Sequence, residues 1–252
     1  MTVPAEALTK QVSEACRADT RIVAALTYGA VPQGRADAWS DAEFWFFIRQ
    51  DADFDGEVWL RELLPELLLV AHGEWGLIAI LPGLVRLELH AVPEDQMSTL
   101  ASWPGLNAPV ERTLVLDRDG RLGEILRNLP ERSAPESEQA VSERFANWWV
   151  LGFNVLRRGE LERAYDALTH ARWQLLWLLR LRHEATELWG TPLRRAEVEL
   201  PPEAIQALAR TAPSAVTPEA LRAAYADAWR LAVALTDHQP AGLRREVECL
   251  IG

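Results

Sequence analysis

Asp41 and Glu43 stand two positions apart in the segment Asp-Ala-Glu-Phe-Trp-Phe-Phe-Ile, residues 41–48. Such an alternating, aromatic-rich run predicts a strand. Side chains of a strand alternate, so both acids emerge on one face. Two carboxylates side by side without a partner are costly to bury, and a bound cation removes that cost. Downstream, Leu-Val-Arg-Leu-Glu-Leu-His (residues 84–90) places Arg86, Glu88 and His90 on one face of a second strand. If the two strands are neighbours, Glu88 is a third acid. Carboxylate oxygens suit a hard divalent ion such as Mg²⁺. Two such ions on three carboxylates would clamp the attacking and leaving oxygens of an in-line displacement. Gly29, in the loop before the first acid, would let backbone N–H groups approach a phosphate closely. The plainer alternatives are a solvated edge strand for Asp41 and Glu43, an ion pair with Arg86 or a helix arginine for Glu88, and a wall or surface position for His90.

These positions need elements to hold them. Apolar spacing predicts a helix over residues 5–18 and a buried strand over 21–28 that ends at Gly29. Pro32, Gly34 and Ser40 mark a loop before the acid strand. Asp55 can cap a helix running from Glu57 to about His72, bent or broken at Pro65. Trp75–Leu81 and Leu84–Val92 flank Pro82-Gly83 as a hairpin. A short helix after Pro93, a strand near Thr113–Leu116 and a helix over 121–129 follow. Residues 130–137, Pro-Glu-Arg-Ser-Ala-Pro-Glu-Ser, form the clearest linker. Beyond it, helices are expected over 138–157, 160–184, 202–210, 218–237 and 243–250. The fold class is therefore α+β: a mixed-sheet domain over residues 1–132, then an all-α bundle over 137–252.

The chain has 252 residues and a net charge of −11, with the acid concentrated in the first half. That argues against a nucleic-acid grip and suits a cationic small substrate or a divalent metal. Cys16 and Cys249 are the only cysteines, and a reducing, cytoplasmic setting is expected. No apolar run reaches the length of a membrane span, and no leader segment is visible.

Gly29-Ala30, then Asp41-Ala42-Glu43-Phe44, with Glu88 on a later strand, resembles the signature of the nucleotidyltransferase superfamily that includes β-type DNA polymerases. Within it the chain looks most like the antibiotic nucleotidyltransferases, especially the lincosamide enzymes with a helical C-terminal domain; residues 153–168, Phe-Asn-Val-Leu-Arg-Arg-Gly-Glu-Leu-Glu-Arg-Ala-Tyr-Asp-Ala-Leu, carry that second likeness. The resemblance implies Mg²⁺-dependent transfer of a nucleotidyl group, adenylyl from ATP or another nucleoside triphosphate, to a hydroxyl of a lincosamide- or aminoglycoside-like acceptor, with release of pyrophosphate. It implies that Asp41 and Glu43 ligate Mg²⁺ and that Glu88 is a third ligand or the base. It also implies homodimers. Ala30 departs from the family's usual Gly-Ser and removes a hydroxyl donor to the triphosphate. Ser40 is a candidate replacement, and a catalytically retired binding or antitoxin-type module is the alternative function. Arg158 and Arg163, with Arg157, are candidates to meet the triphosphate.

Other patterns compete. Residues 51–62, Asp-Ala-Asp-Phe-Asp-Gly-Glu-Val-Trp-Leu-Arg-Glu, satisfy a calcium-loop pattern. The preceding segment reads as a strand, though, and no second loop pairs with it. An acidic turn with Asp55 and Glu57 at a helix N-terminus is expected. Trp148, Trp149, Trp173, Trp177 and Trp189 are expected to pack the helical core, with pocket lining as the alternative. Leu161, Ala164, Tyr165, Leu168 and Ala171 predict a buried stripe, with Arg163, Asp166 and His170 on another face.

Overall fold

The computed structural model describes residues 4–73, 76–130 and 134–251. The chain divides into two compact units, Met1–Ser133 and Ala134–Gly252. The expected linker falls partly, at residues 131–133, outside the described residues, as does Trp75 at the expected start of a strand.

The first unit is a six-stranded mixed sheet with helices. Its strands are β1 (Ile22–Thr27), β2 (Ala42–Ile48), β3 (Leu69–His72), β4 (Leu77–Leu81), β5 (Val85–Pro93) and β6 (Leu114–Asp117), in the spatial order β3-β4-β5-β2-β1-β6. Among the described residues only β2 and β5 pair in parallel; Ala42 lies against Leu87, Glu43 against Glu88 and Trp45 against His90. The other pairs are antiparallel.

Alternation sorts each strand by face. On one face Ala42, Phe44, Phe46 and Ile48 of β2 join Leu87 and Leu89 of β5. The helices α1 (Pro4–Ala18) and α3 (Gly56–Leu63) cover that face with Leu8, Val12, Cys16, Trp59 and Leu60. Phe44 and Phe46 are fully buried, each worth ~1.5–3 kcal/mol of burial. Part of the opposite face is also covered. There Ala24, Leu26 and Phe47 meet Met97 and Leu100 of the 3-10 segment Glu94–Ser102, and Leu122 and Leu126 of α5 (Arg121–Arg127). Two single-turn helices, α2 (Ala30–Gln33) and α4 (Val110–Thr113), complete the unit.

The helix expected to reach about His72 stops at Leu63, and Leu69–His72 forms the edge strand β3. Pro65 explains the stop: it disfavours helical geometry in the residue before it, and Leu64 sits at φ −129°, ψ 74°. The start of α3 is as expected. The Asp55 carboxylate accepts from the N–H groups of Glu57 and Val58 at 2.8 and 3.0 Å.

The second unit is wholly helical: α6 (Glu138–Arg157), α7 (Leu161–Arg182), α8 (Ala196–Glu199), α9 (Pro202–Arg210), α10 (Pro218–Leu235) and α11 (Ala241–Ile251). Ser137 caps α6 by accepting from Ala140 N–H at 3.2 Å. Phe145, Trp149, Phe153, Tyr225 and Trp229 fill the core between α6, α7 and α10. The Tyr225 hydroxyl donates to the Ala164 carbonyl at 2.7 Å. Gly152 makes room for it, since a Cβ there would lie 1.8 Å from that hydroxyl oxygen. On α7, Ala164, Leu168 and Ala171 are buried as expected, but Tyr165 is exposed. It lies one position, about 100°, off the stripe. Trp149 is a core residue, whereas Trp173 is exposed. Among the described residues no helix is long and apolar enough to cross a membrane.

Candidate active site

On the sheet face away from α1 and α3, the outer ends of β2 and β5 carry polar side chains. Parallel register sets Glu43 beside Glu88 and continues to Asp41 beside Arg86. The three acids foreseen in the sequence therefore lie on one face of adjacent strands. Tyr28 joins them from the end of β1, where its N–H donates to the Glu43 carbonyl at 3.2 Å.

Arg86 organises this face. Its Nη1 donates to Asp41 Oδ2 at 2.7 Å and its Nη2 to Glu88 Oε2 at 2.6 Å. The other Glu88 oxygen accepts from the Tyr28 hydroxyl at 3.0 Å and lies 2.8 Å from His90 Nε2. A carboxylate only accepts, so Nε2 is the protonated ring nitrogen of His90 in this contact. His90 is buried and stacks on Trp45 with centroids 4.4 Å apart. Trp103 meets both Trp45 and Tyr28 edge-on and closes the inner end of the face.

These contacts set the electrostatics. Burial pushes the Glu88 carboxyl up, but hydrogen bonds from Arg86, His90 and Tyr28 outweigh it and hold the group below its ordinary value. Burial and the nearby Glu88 charge raise the Tyr28 hydroxyl well above its usual range, so it acts as a donor. Glu88 in this arrangement is a weak base and a strong hydrogen-bond acceptor.

Gly29 is required on two counts. Its φ is +76°, a region that disfavours residues with a Cβ. A Cβ there would also lie 1.4 Å from Glu43 Oε2. The Glu43 carboxylate thus abuts the glycine backbone just before α2, where Ala30 begins the helical turn. Ser40 is engaged locally: its hydroxyl donates to Asp37 Oδ1 and accepts from Asp37 N–H, both at 2.9 Å. Arg158 and Arg163 belong to the helical unit. The first ends α6, and the second pairs with Glu160 at 3.1 Å.

Asp41, Glu43 and Glu88 have the oxygen chemistry that Mg²⁺ takes. Convergence is another matter. Among the described residues no three potential ligands gather around one point, because Arg86 already bridges Asp41 and Glu88. The plain ion pair weighed for Glu88 is the arrangement present. In the 51–62 loop, Asp51 pairs with Arg49 at 2.8 Å and Asp55 caps α3.

Three partners of the acids, Arg86, His90 and Tyr28, were readable only in part. Arg86, Glu88 and His90 are polar at every second position of an otherwise apolar strand, which marks a shared polar face. Tyr28, the last residue of the strand expected over 21–28, carries no motif of its own. Two-residue alternation from Leu26 would have placed it on the Glu43 side.

No curated protein matches the sequence. Among solved structures, the chain is similar to an aminoglycoside 6-adenyltransferase from Bacillus subtilis, 13% identical over 100% of this chain and 98% of that one, with a TM-score of 0.40. It is also similar to a nucleotidyltransferase-like protein from Exiguobacterium sibiricum 255-15, 17% identical over 91% of this chain and 74% of that one, with a TM-score of 0.37. Likeness of that degree carries no argument about fold or chemistry. The family match is more direct: residues 134–248 fit the model described as lincosamide nucleotidyltransferase-like, C-terminal domain.

Proposed function

We propose that the chain is a small-molecule nucleotidyltransferase that moves a nucleotidyl group, adenylyl from ATP in the first instance, to an acceptor hydroxyl. The hydroxyl oxygen bonds to the α-phosphorus and gives up its proton to solvent, the bond to the bridging oxygen of the leaving diphosphate breaks, and pyrophosphate departs with that electron pair. Lincosamide-like and aminoglycoside-like molecules are the acceptor classes to screen. The observation that carries the reading is the polar face itself. Asp41, Glu43 and Glu88 lie on one side of adjacent parallel strands beside the Gly29 turn, in a chain whose second unit matches that family.

The residues divide the work as follows. Gly29 leaves room for the Glu43 carboxylate against the backbone at the end of β1. Tyr28 and His90 hold Glu88 in place. Arg86 orients Asp41 and Glu88 and helps to keep Glu88 charged. Mg²⁺, if held by Asp41 and Glu43 with Glu88 behind them, would offset the negative charge of the triphosphate. That role requires Arg86 to give up Asp41. Arg158 and Arg163 are the helical-unit candidates for phosphate contact. A reducing cytoplasmic location and a homodimer complete the proposal.

Pyrophosphate release, measured with each nucleoside triphosphate and Mg²⁺ over a panel of hydroxylated antibiotics, tests the reading. Turnover lost in Asp41→Asn supports it, and full activity in that variant refutes the assigned site. Arg86 bridging two acids, together with Ala30, favours a second reading: a retired site that binds without turnover. Calorimetric titration with Mg·ATP, showing tight binding while every acceptor fails, would select it.

A further inference from the structure

The helical unit holds an aromatic cleft that neither the acid face nor the family match explains. Its volume is ≈ 450 Å³, and Trp173, Trp177, Thr191, Pro192, Leu193 and Arg194 line it. Trp173 and Trp177 are four residues apart on α7, so their rings project from one side of that helix. The opposing wall is the segment after Trp189. Trp173 is 40% exposed and Leu193 57% exposed, so this apolar surface is open to water.

The wall is held unusually firmly for a loop. Arg180 is fully buried. Its guanidinium donates to the carbonyls of Pro192, Ala185 and Arg194 at 2.8, 2.7 and 2.8 Å, and to Glu199 Oε2 at 2.8 Å. The Trp177 indole N–H donates to the Trp189 carbonyl at 3.0 Å. A buried arginine thus fixes both sides of Leu193, and Trp177 ties the helix to the start of the same segment. Binding into a pre-formed cleft avoids the cost of ordering loops and side chains. The volume falls within the range of small-ligand pockets, which are mostly apolar with a few polar groups. Here the lining is almost wholly apolar, and its one charged residue is Arg194, whose side chain ends in a guanidinium. Among the described residues that guanidinium makes no hydrogen bond or ion pair.

We propose that this cleft is a binding site for a flat aromatic or conjugated small molecule bearing one anionic group. The rings of Trp173 and Trp177 receive the planar body, and Arg194 receives the acid. A guanidinium at the rim selects against a cationic ligand. None of its residues belongs to the acid face.

The test is a fluorescence titration of the full chain with anilinonaphthalene sulfonate, a planar anionic probe, and with neutral phenylnaphthylamine. Saturable one-to-one binding of the sulfonate is expected. Trp173→Ala should weaken both probes at least ~10-fold. Arg194→Ala should weaken the sulfonate about 10-fold and leave the neutral probe unchanged. Circular dichroism checks that each variant folds, and if Trp173→Ala does not, the contrast between probes in Arg194→Ala decides alone. Equal titrations for parent and variants, or a parent dimer in sedimentation that Trp173→Ala dissolves, would overturn the proposal.

Discussion

Replacing Arg86 by Met keeps the stem of the side chain and removes both charged hydrogen bonds. In the parent, those bonds run to Asp41 at 2.7 Å and Glu88 at 2.6 Å, with side chains 31%, 36% and 25% exposed for Arg86, Asp41 and Glu88. A charge-assisted hydrogen bond is worth ~1.5–3 kcal/mol, but exposure of about a third reduces that towards the surface value of ~1 kcal/mol or less. Two discounted bonds plus the repulsion left among three acids give a loss of about 1–3 kcal/mol. For a chain of this size each kcal/mol lowers the melting temperature by ~2–4 °C. Without divalent ions Arg86→Met should therefore melt roughly 2–12 °C below the parent. Added Mg²⁺ should reverse the order of effects. The variant no longer has an internal cation to displace, so its affinity for the ion should rise by about 10-fold or more. Thermal shift across a magnesium series, with EDTA as the zero point, reads both quantities. A variant as stable as the parent in EDTA, with an identical magnesium response, would refute the view that Arg86 is the counter-ion of this face.

Gly29→Ala should cost about 1–3 kcal/mol and displace the Glu43 carboxylate, because the new Cβ meets strain and a clash together; denaturant unfolding measures it. Glu88 is held below its ordinary value of 4.5, so its stabilising contribution is complete above that value and is lost as pH falls through the lowered one. Glu88→Gln should accordingly flatten the stability profile on the acid side of 4.5, as followed by melting temperature against pH. Gly152→Ala should destabilise by at least ~2 kcal/mol, with part of the loss recovered in combination with Tyr225→Phe, as a double-mutant cycle would reveal. Asp55→Ala should remove the α3 cap at a cost of about 1 kcal/mol, without altering calorimetric response to calcium.

How far the sequence revealed this arrangement depended on the range of the interaction. Alternation in residues 42–48 and 85–92 foretold both strands, because each face has one dominant environment. Asp55 foretold the start of α3, a contact spanning three residues. Pro65 signalled a break, yet the strand that follows at Leu69–His72 exists only through pairing with β4, which local propensity does not encode. The acids were legible as a group once β2 and β5 were assumed to be neighbours. The arginine bridging them was visible only as an alternative, since the choice between a side-chain cation and a metal is settled by three-dimensional proximity across 45 residues. Trp173 and Tyr165 were assigned to the core by helical spacing, but spacing alone does not say which parts of a long helix remain uncovered.

The parallel pairing of β2 with β5 has a consequence for how sequence change can act on the site. Leu87 and Leu89 alternate with Arg86, Glu88 and His90 along β5. A slip of β5 by a single residue would carry the leucines to the wet side and drive the arginine, acid and imidazole into oil. The greasy underside of the sheet therefore serves as a ruler for the ionic side above it. Drift in the acids themselves leaves that ruler intact, so descendants of this chain can alter their chemistry at residues 41, 43 and 88 while the scaffold keeps its alignment.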